Sequence, residues 1–475
     1  MAVHQLSTQA PESNLGPTPS LRPVHVAVAV LALLYFWFWT VAFHRIQDAP
    51  FAGFANVFVT GSGDFEHFYR AAEALRHGSD LYASGAGGYI YPPLVAFLFM
   101  PLTFLKVQDA ALAMLVINMA MGLACAWFAA AEVLRRFRLA SAPADVIVVA
   151  AVATLLVATR LRSEFQMWQT DVPMMLLLVL ALRWLDGKPQ LAGLALGMAV
   201  LIKYMPILYL PYLLLRRRFV AASWMAAGMA AFALLPALAS GWFANLQNLA
   251  IAFSGLLRLL GLPPLGPRLA KVNAMTADYS VSVTSGLARW LGPSAPPVEA
   301  LAISLAVALI VVLAIARIYG AAGVATLRWP SAGTQREQPY DGIVAIEWMA
   351  LIVFALAFGP QTNPRHTSLL LMAATVLSAL LCLSKAGVPR WPAAAATAVL
   401  VFGLVFPPDL PGLEATLIWW RAVGGTGWCL VVMLPLLFLA GVSRVVRRDI
   451  TAPLGTPERS EVDAWFGLSS TSRRR

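Results

Sequence analysis

The sequence predicts an all-α protein that crosses a membrane many times. Hydrophobic residues make up 60% of the chain and charged residues only 12%, whereas an average soluble domain is roughly one quarter charged. The mean hydropathy is +0.73. The apolar residues also gather in runs of about 17–25, the length that a helix needs to cross about 30 Å of hydrocarbon. These observations exclude an ordinary soluble domain.

Apolar runs predict about twelve transmembrane helices. They lie near 22–43, 109–133, 144–160, 172–186, 189–203, 205–215, 219–240, 299–319, 342–359, 366–384, 391–406 and 425–443. The run 189–215 is counted as two short helices because Lys203 and Pro206 interrupt it. Proline removes a backbone donor and clashes with the preceding turn, so a break there is physically reasonable.

The apolar stretch 89–105 is not counted as a span. It contains Pro92, Pro93 and Pro101, and counting it would move the Arg135–Arg138 cluster to the side opposite the other basic clusters. We therefore expect an interfacial or re-entrant helix in this stretch.

The net charge of +11 comes from basic clusters of the kind that determine membrane topology. They lie between apolar runs, at 135–138, 216–218, 444–448 and 473–475. The positive-inside rule then predicts cytoplasmic termini, an inner (plasma) membrane location and a polar outer face. This distribution argues against nucleic acid as a partner and leaves membrane lipids as expected neighbours.

The predicted organisation follows from these assignments. A disordered cytoplasmic leader (1–21) precedes a transmembrane module (22–240) that contains the first outer loop (44–108) with its amphipathic juxtamembrane helices. A second extracytoplasmic loop (241–298), a C-terminal transmembrane module (299–443) and a basic cytoplasmic tail (444–475) follow.

Asp64 is the strongest candidate for a functional residue in the first outer loop. It follows the flexible segment 61–63 and begins an amphipathic helix whose apolar face we expect to lie on the bilayer. The residues of that face are Phe65, Phe68, Ala72 and Leu75. Asp64 suits a helix N-cap as well as a reactive acid, since charge at a membrane surface is costly unless used or solvated.

Several further polar residues stand near the predicted outer face. Lys203 ends a broken helix, where it either binds phosphate or extends to the interface. Arg365 and His366 begin another predicted span. Gln169 and Asp171 lie just before the span 172–186, and Asp171 is equally suited to bind a sugar hydroxyl, to bind a metal or to cap the helix. Trp168, Trp419 and Trp420 fit an interfacial aromatic belt.

Motifs in this order resemble glycosyltransferase family 87, a family of membrane enzymes with the GT-C fold that use polyprenyl-phosphate mannose. The matching pieces are Asp64-Phe65, Tyr69-Arg70-Ala71-Ala72, Gly78, Leu81-Tyr82, Tyr91-Pro92-Pro93-Leu94, and Lys203 with Pro206. The resemblance runs over roughly residues 25–220. It is fainter afterwards, at 280–291 and 363–366, where Arg365-His366 replaces the histidine pair that the family often shows.

The resemblance implies a role for each candidate residue. Asp64 would be the general base, Lys203, His366 and Arg365 would bind the donor phosphate, and the sugar or acceptor would meet Glu66, His67, Tyr69, Tyr91, Gln169 and Asp171. A single carboxylate acting as base inverts the anomeric carbon, whereas retention calls for a second, nucleophilic carboxylate nearby.

The expected substrates are a polyprenyl-phosphate sugar, foremost mannose, and a glycolipid or envelope-glycan acceptor. Arabinofuranose as the donor sugar is an alternative. No cofactor is required, although a divalent ion between Asp64 and Asp171 stays conceivable. A transporter or lipid flippase is the rival class, but it would place its polar residues near the bilayer midplane in inverted repeats. A non-catalytic assembly subunit is the third class, and it would not depend on Asp64.

Overall fold

The computed structural model describes residues 22–48, 64–83, 89–139, 142–324, 340–383, 388–406 and 411–451. The expected leader, the segment before Asp64 and the last part of the basic tail lie outside this set. The described residues form helices joined by turns and loops, and no strand occurs among them. This confirms the predicted all-α class.

Nineteen α-helices are distinguished in the described residues. They are α1 Pro23–Asp48, α2 Phe65–Arg76, α3 Pro93–Phe99, α4 Val107–Arg136, α5 Pro143–Leu156, α6 Ala158–Met167, α7 Asp171–Trp184, α8 Pro189–Ile202, α9 Tyr209–Leu215, α10 Phe219–Leu234, α11 Ala237–Ser240, α12 Trp242–Leu259, α13 Val283–Leu291, α14 Pro297–Ala321, α15 Tyr340–Phe358, α16 Leu371–Leu383, α17 Trp391–Val405, α18 Glu414–Ala422 and α19 Gly425–Thr451. The 3₁₀ segments Met100–Phe104, Met205–Leu208 and Pro364–Leu370 extend or join them.

Seven described helices are long and apolar enough to cross a membrane. They are Pro23–His44, Val107–Arg136, Phe219–Ser240, Pro297–Ala321, Asp341–Phe358, Pro364–Leu383 and Gly425–Val445. Each coincides with a predicted span, which confirms a multi-pass membrane protein. The other five predicted spans coincide with shorter helices, so twelve full-length spans is an overcount.

A bend accounts for one of these differences. The predicted span 144–160 runs across Val157, where α5 and α6 meet at 77°. The pair therefore counts as at most one broken span. The bend directs α6 and the turn after it toward the candidate site described below.

The predicted break near Lys203 is confirmed, and the packing of α8 on α10 explains its geometry. Gly193 faces Ala221 and Met225, while Gly197, one turn later, faces Gly228 and Met229. The contacts advance together along both helices, so α8 and α10 run in the same direction. Residues 203–218 must therefore carry the chain back, through the 3₁₀ turn and α9.

The amphipathic helix α2 forms as predicted, but its apolar face does not lie on the bilayer. Phe65, Phe68 and Ala72 are fully buried in the protein and Leu75 is 2% exposed. The Phe65 and Phe68 rings contact the Phe99 ring of α3. Protein burial here replaces the expected lipid contact because α3 and its 3₁₀ extension cover this face of α2.

The stretch 89–105 folds as α3 followed by the 3₁₀ turn, a short apolar segment of the kind expected at an interface. Trp168, in contrast, is not part of an aromatic belt. It is 1% exposed, and its ring packs against Phe65. The expectation for Trp168 was wrong because the turn after α6 lies inside the bundle.

Ion pairs at the far end of α7 join the basic clusters. Arg136 and Arg218 both bind Asp186 at 2.8 Å, and Arg216 pairs with Glu347. Asp171 begins α7 and Asp186 lies two residues beyond its end, so the full 14-residue helix, about 21 Å long at 1.5 Å per residue, lies between them. The basic end of the bundle is thus separated from the end that carries Asp171.

Packing of α8 against α10 predicts a sharp stability effect. A Cβ added at Gly193 would lie 2.4 Å from the Ala221 carbonyl oxygen, and backbone cannot shift aside as a flexible side chain does. Gly193→Ala should therefore destabilise the protein by about 1–3 kcal/mol, seen as a lower melting temperature in detergent. Gly320→Ala is the control, since a Cβ there meets open space. An equal effect of both substitutions would contradict the close α8–α10 contact.

Candidate active site

Asp64 occupies the N-cap position of α2, yet its side chain makes no capping hydrogen bond. Its Oδ2 instead forms an ion pair with Arg365 Nη2 at 2.9 Å, and both side chains are about three-quarters buried. The two residues are far apart in the sequence. This pairing shows that the Asp64 carboxylate faces the start of the 3₁₀ segment Pro364–Leu370 and does not serve as a helix cap.

Lys203 and Asp171 form a buried ion pair. The Asp171 side chain is 1% exposed and that of Lys203 10%, so Lys203 does not extend to solvent. Lys203 sits in extended backbone directly after α8, and the break in the helix is what directs its ammonium at the first residue of α7. Burial disfavours the charged carboxylate, but the Lys203 ammonium outweighs it and holds the pKa of Asp171 below its usual value.

Glu164 is a second buried acid beside this pair. It is 1% exposed and lies within electrostatic range of Asp171 and Lys203. Neither of its carboxyl oxygens has a hydrogen-bond partner among the described residues. Two acids are therefore buried beside one cation at this end of α7.

The turn between α6 and α7 brings Gln169 next to Tyr91. Trp168 adopts φ +48°, a left-handed conformation that residues other than glycine seldom take, and the chain reverses there. The Tyr91 hydroxyl lies 3.5 Å from Gln169 Oε1, and Lys203 Nζ lies 5.9 Å from the Tyr91 ring centre. Burial raises the pKa of the Tyr91 phenol to about 12, against the opposing effect of Lys203, so the phenol stays a neutral hydrogen-bonding group.

His366 joins the same cluster from the loop that carries Arg365. Its Nδ1 accepts from the Asn363 backbone N–H at 3.3 Å, which assigns the proton to Nε2 and leaves Nε2–H as a donor. His366 lies within electrostatic range of Lys203 and Asp171. The Asn363 side chain accepts from the Arg365 N–H and so caps this 3₁₀ segment.

Two segments that resemble the family only faintly pack together behind Arg365. The Val281 N–H donates to the Thr362 carbonyl at 2.8 Å, and the Thr362 N–H donates to Ser280 Oγ at 2.9 Å. Gln361 donates to the Tyr279 hydroxyl at 2.6 Å. Residues 280–285 therefore support the backbone from which Arg365 and His366 project.

The remaining candidates of α2 have partners of their own. Glu66 is buried, 3.6 Å from Arg70 one turn later on the helix, and the Tyr69 hydroxyl donates to the Leu105 carbonyl at 2.9 Å. His67 is half-buried. The structure thus brings together Asp64, Tyr91, Gln169, Asp171, Lys203, Arg365 and His366. Roles for Glu66, His67 and Tyr69 stay predictions.

The site contains donors that lack an acceptor. Gln169 Nε2 and Arg365 Nε are buried, and neither has a hydrogen-bond partner among the described residues. Buried donors are costly unless they are satisfied. Together with the Lys203 ammonium and the His366 Nε2–H, they match a ligand rich in acceptor oxygens, such as a phosphate ester of a sugar.

Metal ligation has no ready-made site here. Within the part of the chain that the structure describes, no group of three or more His, Cys, Asp or Glu side chains is arranged to hold an ion. Asp64 and Asp171, the pair considered from the sequence, are engaged by Arg365 and Lys203 respectively.

Glu164 is the site residue that the sequence interpretation missed. A signal was available, since it is an acid close to an apolar stretch and lies in the same predicted outer loop as Gln169 and Asp171. Its importance depends on the turn at Trp168, which brings it back onto Asp171. Nothing in the local sequence predicted that turn.

Comparison with known families identifies the class of protein. The model of glycosyltransferase family 87 matches residues 89–333, just over half of the chain. This chain therefore belongs to glycosyltransferase family 87 and is a membrane glycosyltransferase. The match includes Tyr91, Gln169, Asp171 and Lys203, whereas Asp64, Arg365 and His366 fall outside it. A comparison with curated proteins found no match.

The buried pair of Lys203 and Asp171 predicts a double-mutant signature. Lys203→Met leaves Asp171 as an uncompensated buried charge and should cost about 3–5 kcal/mol of stability. Adding Asp171→Asn removes that charge and should restore most of the melting temperature. Additive losses in the double variant would contradict the pairing.

The same pair should resist acid. Because Lys203 lowers the pKa of Asp171 below 3.8, its stabilisation is complete above that pH and is lost only as the pH falls further. The melting-temperature difference between wild type and the Lys203→Met/Asp171→Asn double variant, in which neither group can titrate, should therefore stay constant from neutral pH down to the ordinary carboxylate range. A difference that shrinks near neutral pH would show that Asp171 is protonated there.

Proposed function

We propose that this protein transfers a sugar, foremost mannose, from a polyprenyl-phosphate donor to a glycolipid or envelope-glycan acceptor on the extracytoplasmic face, with inversion. The observation that carries the proposal is the convergence of one solvent-accessible carboxylate, Asp64, with two cations, Arg365 and Lys203, at one end of the bundle. Family membership supports glycosyl transfer, and the arrangement supports a phosphate-bearing donor.

Asp64 is the general base in this mechanism. It accepts the proton of the acceptor hydroxyl as the acceptor oxygen bonds to the anomeric carbon. The bond between that carbon and the phosphate oxygen breaks, and the electron pair leaves with the polyprenyl phosphate. One displacement of this kind inverts the anomeric centre. Asp171, paired with Lys203 and buried, is not free to act as a second, nucleophilic carboxylate, and this favours inversion over retention.

Arg365 and Lys203 stabilise the departing phosphate, and His366 donates through Nε2. A guanidinium binds two phosphate oxygens at once through its planar fork, whereas an ammonium acts as a point charge. Gln169 Nε2 and the Tyr91 hydroxyl are placed for sugar hydroxyls beside this phosphate. A low-dielectric site strengthens each of these interactions relative to water.

The Asp64–Arg365 pair also suggests an order of events. While Arg365 binds Asp64, the carboxylate is neutralised and is a weaker base. A donor phosphate competes for the same guanidinium, and its binding would release Asp64 toward the acceptor. The base thus becomes effective when the donor is in place, which limits unproductive proton transfer.

Asp64→Asn tests the base directly. The substitution keeps size and polarity but removes the proton acceptor, and transfer should fall by about 10²–10⁴-fold. The assay uses purified protein in detergent with radiolabelled polyprenyl-phosphate mannose and a membrane-lipid extract as acceptor. Glu73→Gln is the matched control, since Glu73 lies on the same helix and pairs with Arg70 on the helix surface. Turnover by Asp64→Asn at the wild-type rate would overturn the base assignment.

Arg365→Gln tests the phosphate role. Removing a charge-assisted contact of about 1.5–3 kcal/mol should raise the donor KM about tenfold or more, with little change in the acceptor KM. The donor KM of Arg365→Lys, which keeps the charge but loses the planar fork, should lie between the donor KM of wild type and that of Arg365→Gln. Equal effects on both substrates would show that Arg365 holds the loop and does not recognise the donor. Translocation of the donor without any glycosylated product would instead favour a flippase.

A further inference from the structure

A second cationic position lies apart from the candidate active site. Arg160 is on α6, one turn before Glu164, but it does not pair with that acid. Its guanidinium donates through Nη2 to the Leu404 carbonyl near the end of α17. Arg160 Nε is buried and has no partner among the described residues. The side chain is therefore held in place with donor capacity left over.

Arg421, at the end of α18, adds a second positive charge beside Arg160. The two guanidinium groups are close enough to repel each other. Neither takes part in any ion pair found in the described ranges, whereas the buried Arg136 and Arg216 each have a carboxylate. Two neighbouring cations without a carboxylate, one of them largely buried, are unfavourable unless an anion joins them.

The position of Arg421 is fixed by the backbone around it. Arg289 of α13 donates to the carbonyls of Arg421 and Ala422, and these contacts hold the end of α18 against α13. The guanidinium of Arg421 is thus carried by an anchored helix end and not by a free loop. A fixed cation at this point is what a recognition site requires.

An apolar groove adjoins these cations. Helices α17, α18 and α19 form an open groove of about 570 Å³. The groove is lined by Ala398, Phe402, Trp419, Trp420, Trp428 and Val432, among others. Trp420 directly precedes Arg421 in α18, so the apolar groove and the cationic position are contiguous. Tryptophans beside arginines are typical of the level of lipid headgroups.

We propose that Arg160 and Arg421 bind the phosphate of an anionic phospholipid whose acyl chain occupies the groove between α17, α18 and α19. Charge complementarity supports this occupant, because neither arginine has a carboxylate partner within the described ranges and the groove offers almost only apolar contact. The site is separate from the candidate donor-phosphate site, since Arg160 is directed at α17 whereas Glu164, on the next turn, meets Asp171. The proposal does not depend on which sugar the enzyme transfers.

The groove tryptophans allow a direct binding test. Purified protein is placed in phosphatidylcholine nanodiscs that contain phosphatidylglycerol or phosphatidylcholine brominated on one acyl chain, at equal small mole fractions. Bromine in the groove quenches Trp419, Trp420 and Trp428. Brominated phosphatidylglycerol should quench more strongly, and its preference over brominated phosphatidylcholine should fall about fivefold for each arginine replaced.

The variants are Arg160→Gln and Arg421→Gln. Arg421 is exposed, so its replacement keeps the proposal testable if Arg160→Gln fails to fold. Arg162→Gln is the matched control, because Arg162 lies on the same helix but faces the Trp37 ring. Tryptophans outside the groove are also exposed and add a background of quenching. Ala398→Phe should fill the groove and abolish the preference for brominated phosphatidylglycerol, whereas Ala394→Phe, one turn away on α17, should not.

Three results would overturn the proposal. The first is equal quenching by the two brominated lipids. The second is an equal loss of preference in Arg162→Gln, which would indicate general surface charge. The third is displacement of brominated phosphatidylglycerol by equimolar polyprenyl phosphate, which would assign the groove to the donor. The assay measures binding without turnover, so its outcome is independent of whether Asp64 is the base.

Discussion

The pairing of Asp171 with Lys203 is the interaction on which the rest of the site depends. Each charge would be too costly alone in a low-dielectric interior, and together they are tolerated. Forming the pair requires α8 to end at Lys203 and α7 to begin at Asp171. That meeting also fixes the positions of Glu164, Gln169 and Tyr91 around the pair. Asp64 and Arg365 repeat the arrangement nearer to solvent, where a substrate can compete for the cation.

Much of the architecture was predictable because membrane insertion imposes simple rules. Apolar length located each of the seven described helices that are long enough to cross the bilayer, and Lys203 with Pro206 predicted the broken helix. The count of apolar runs was wrong where the length of a run did not show whether it forms one helix or two. The span across Val157 proved to be two helices at 77°, and no proline or glycine stands at Val157 to indicate a bend. The amphipathic pattern of α2 was also correct, but a periodicity cannot distinguish lipid from protein as the partner of an apolar face.

The candidate site was predictable by residue type and not by contact. Asp64, Lys203, Asp171 and Arg365 were identified because charge near apolar runs is costly and the family resemblance gave it a use. The sequence did not predict how these residues pair, because Asp64 meets Arg365 across most of the chain and Asp171 meets Lys203 across a helix hairpin. Glu164 was missed for a related reason. Its contact with Asp171 depends on the left-handed backbone of Trp168, which only the buried packing around that ring explains.

The close contact between α8 and α10 has a consequence for where the chemistry can occur. Backbone meets backbone at Gly193 and Gly197, so neither helix can slide along the other. Lys203, directly after α8, is therefore held at one depth. A single residue inserted into α8 would turn its end by about 100° and advance it by about 1.5 Å, carrying the ammonium away from Asp171. If Lys203 binds the donor phosphate as proposed, that phosphate must reach this one depth, whatever the length of the lipid that carries it.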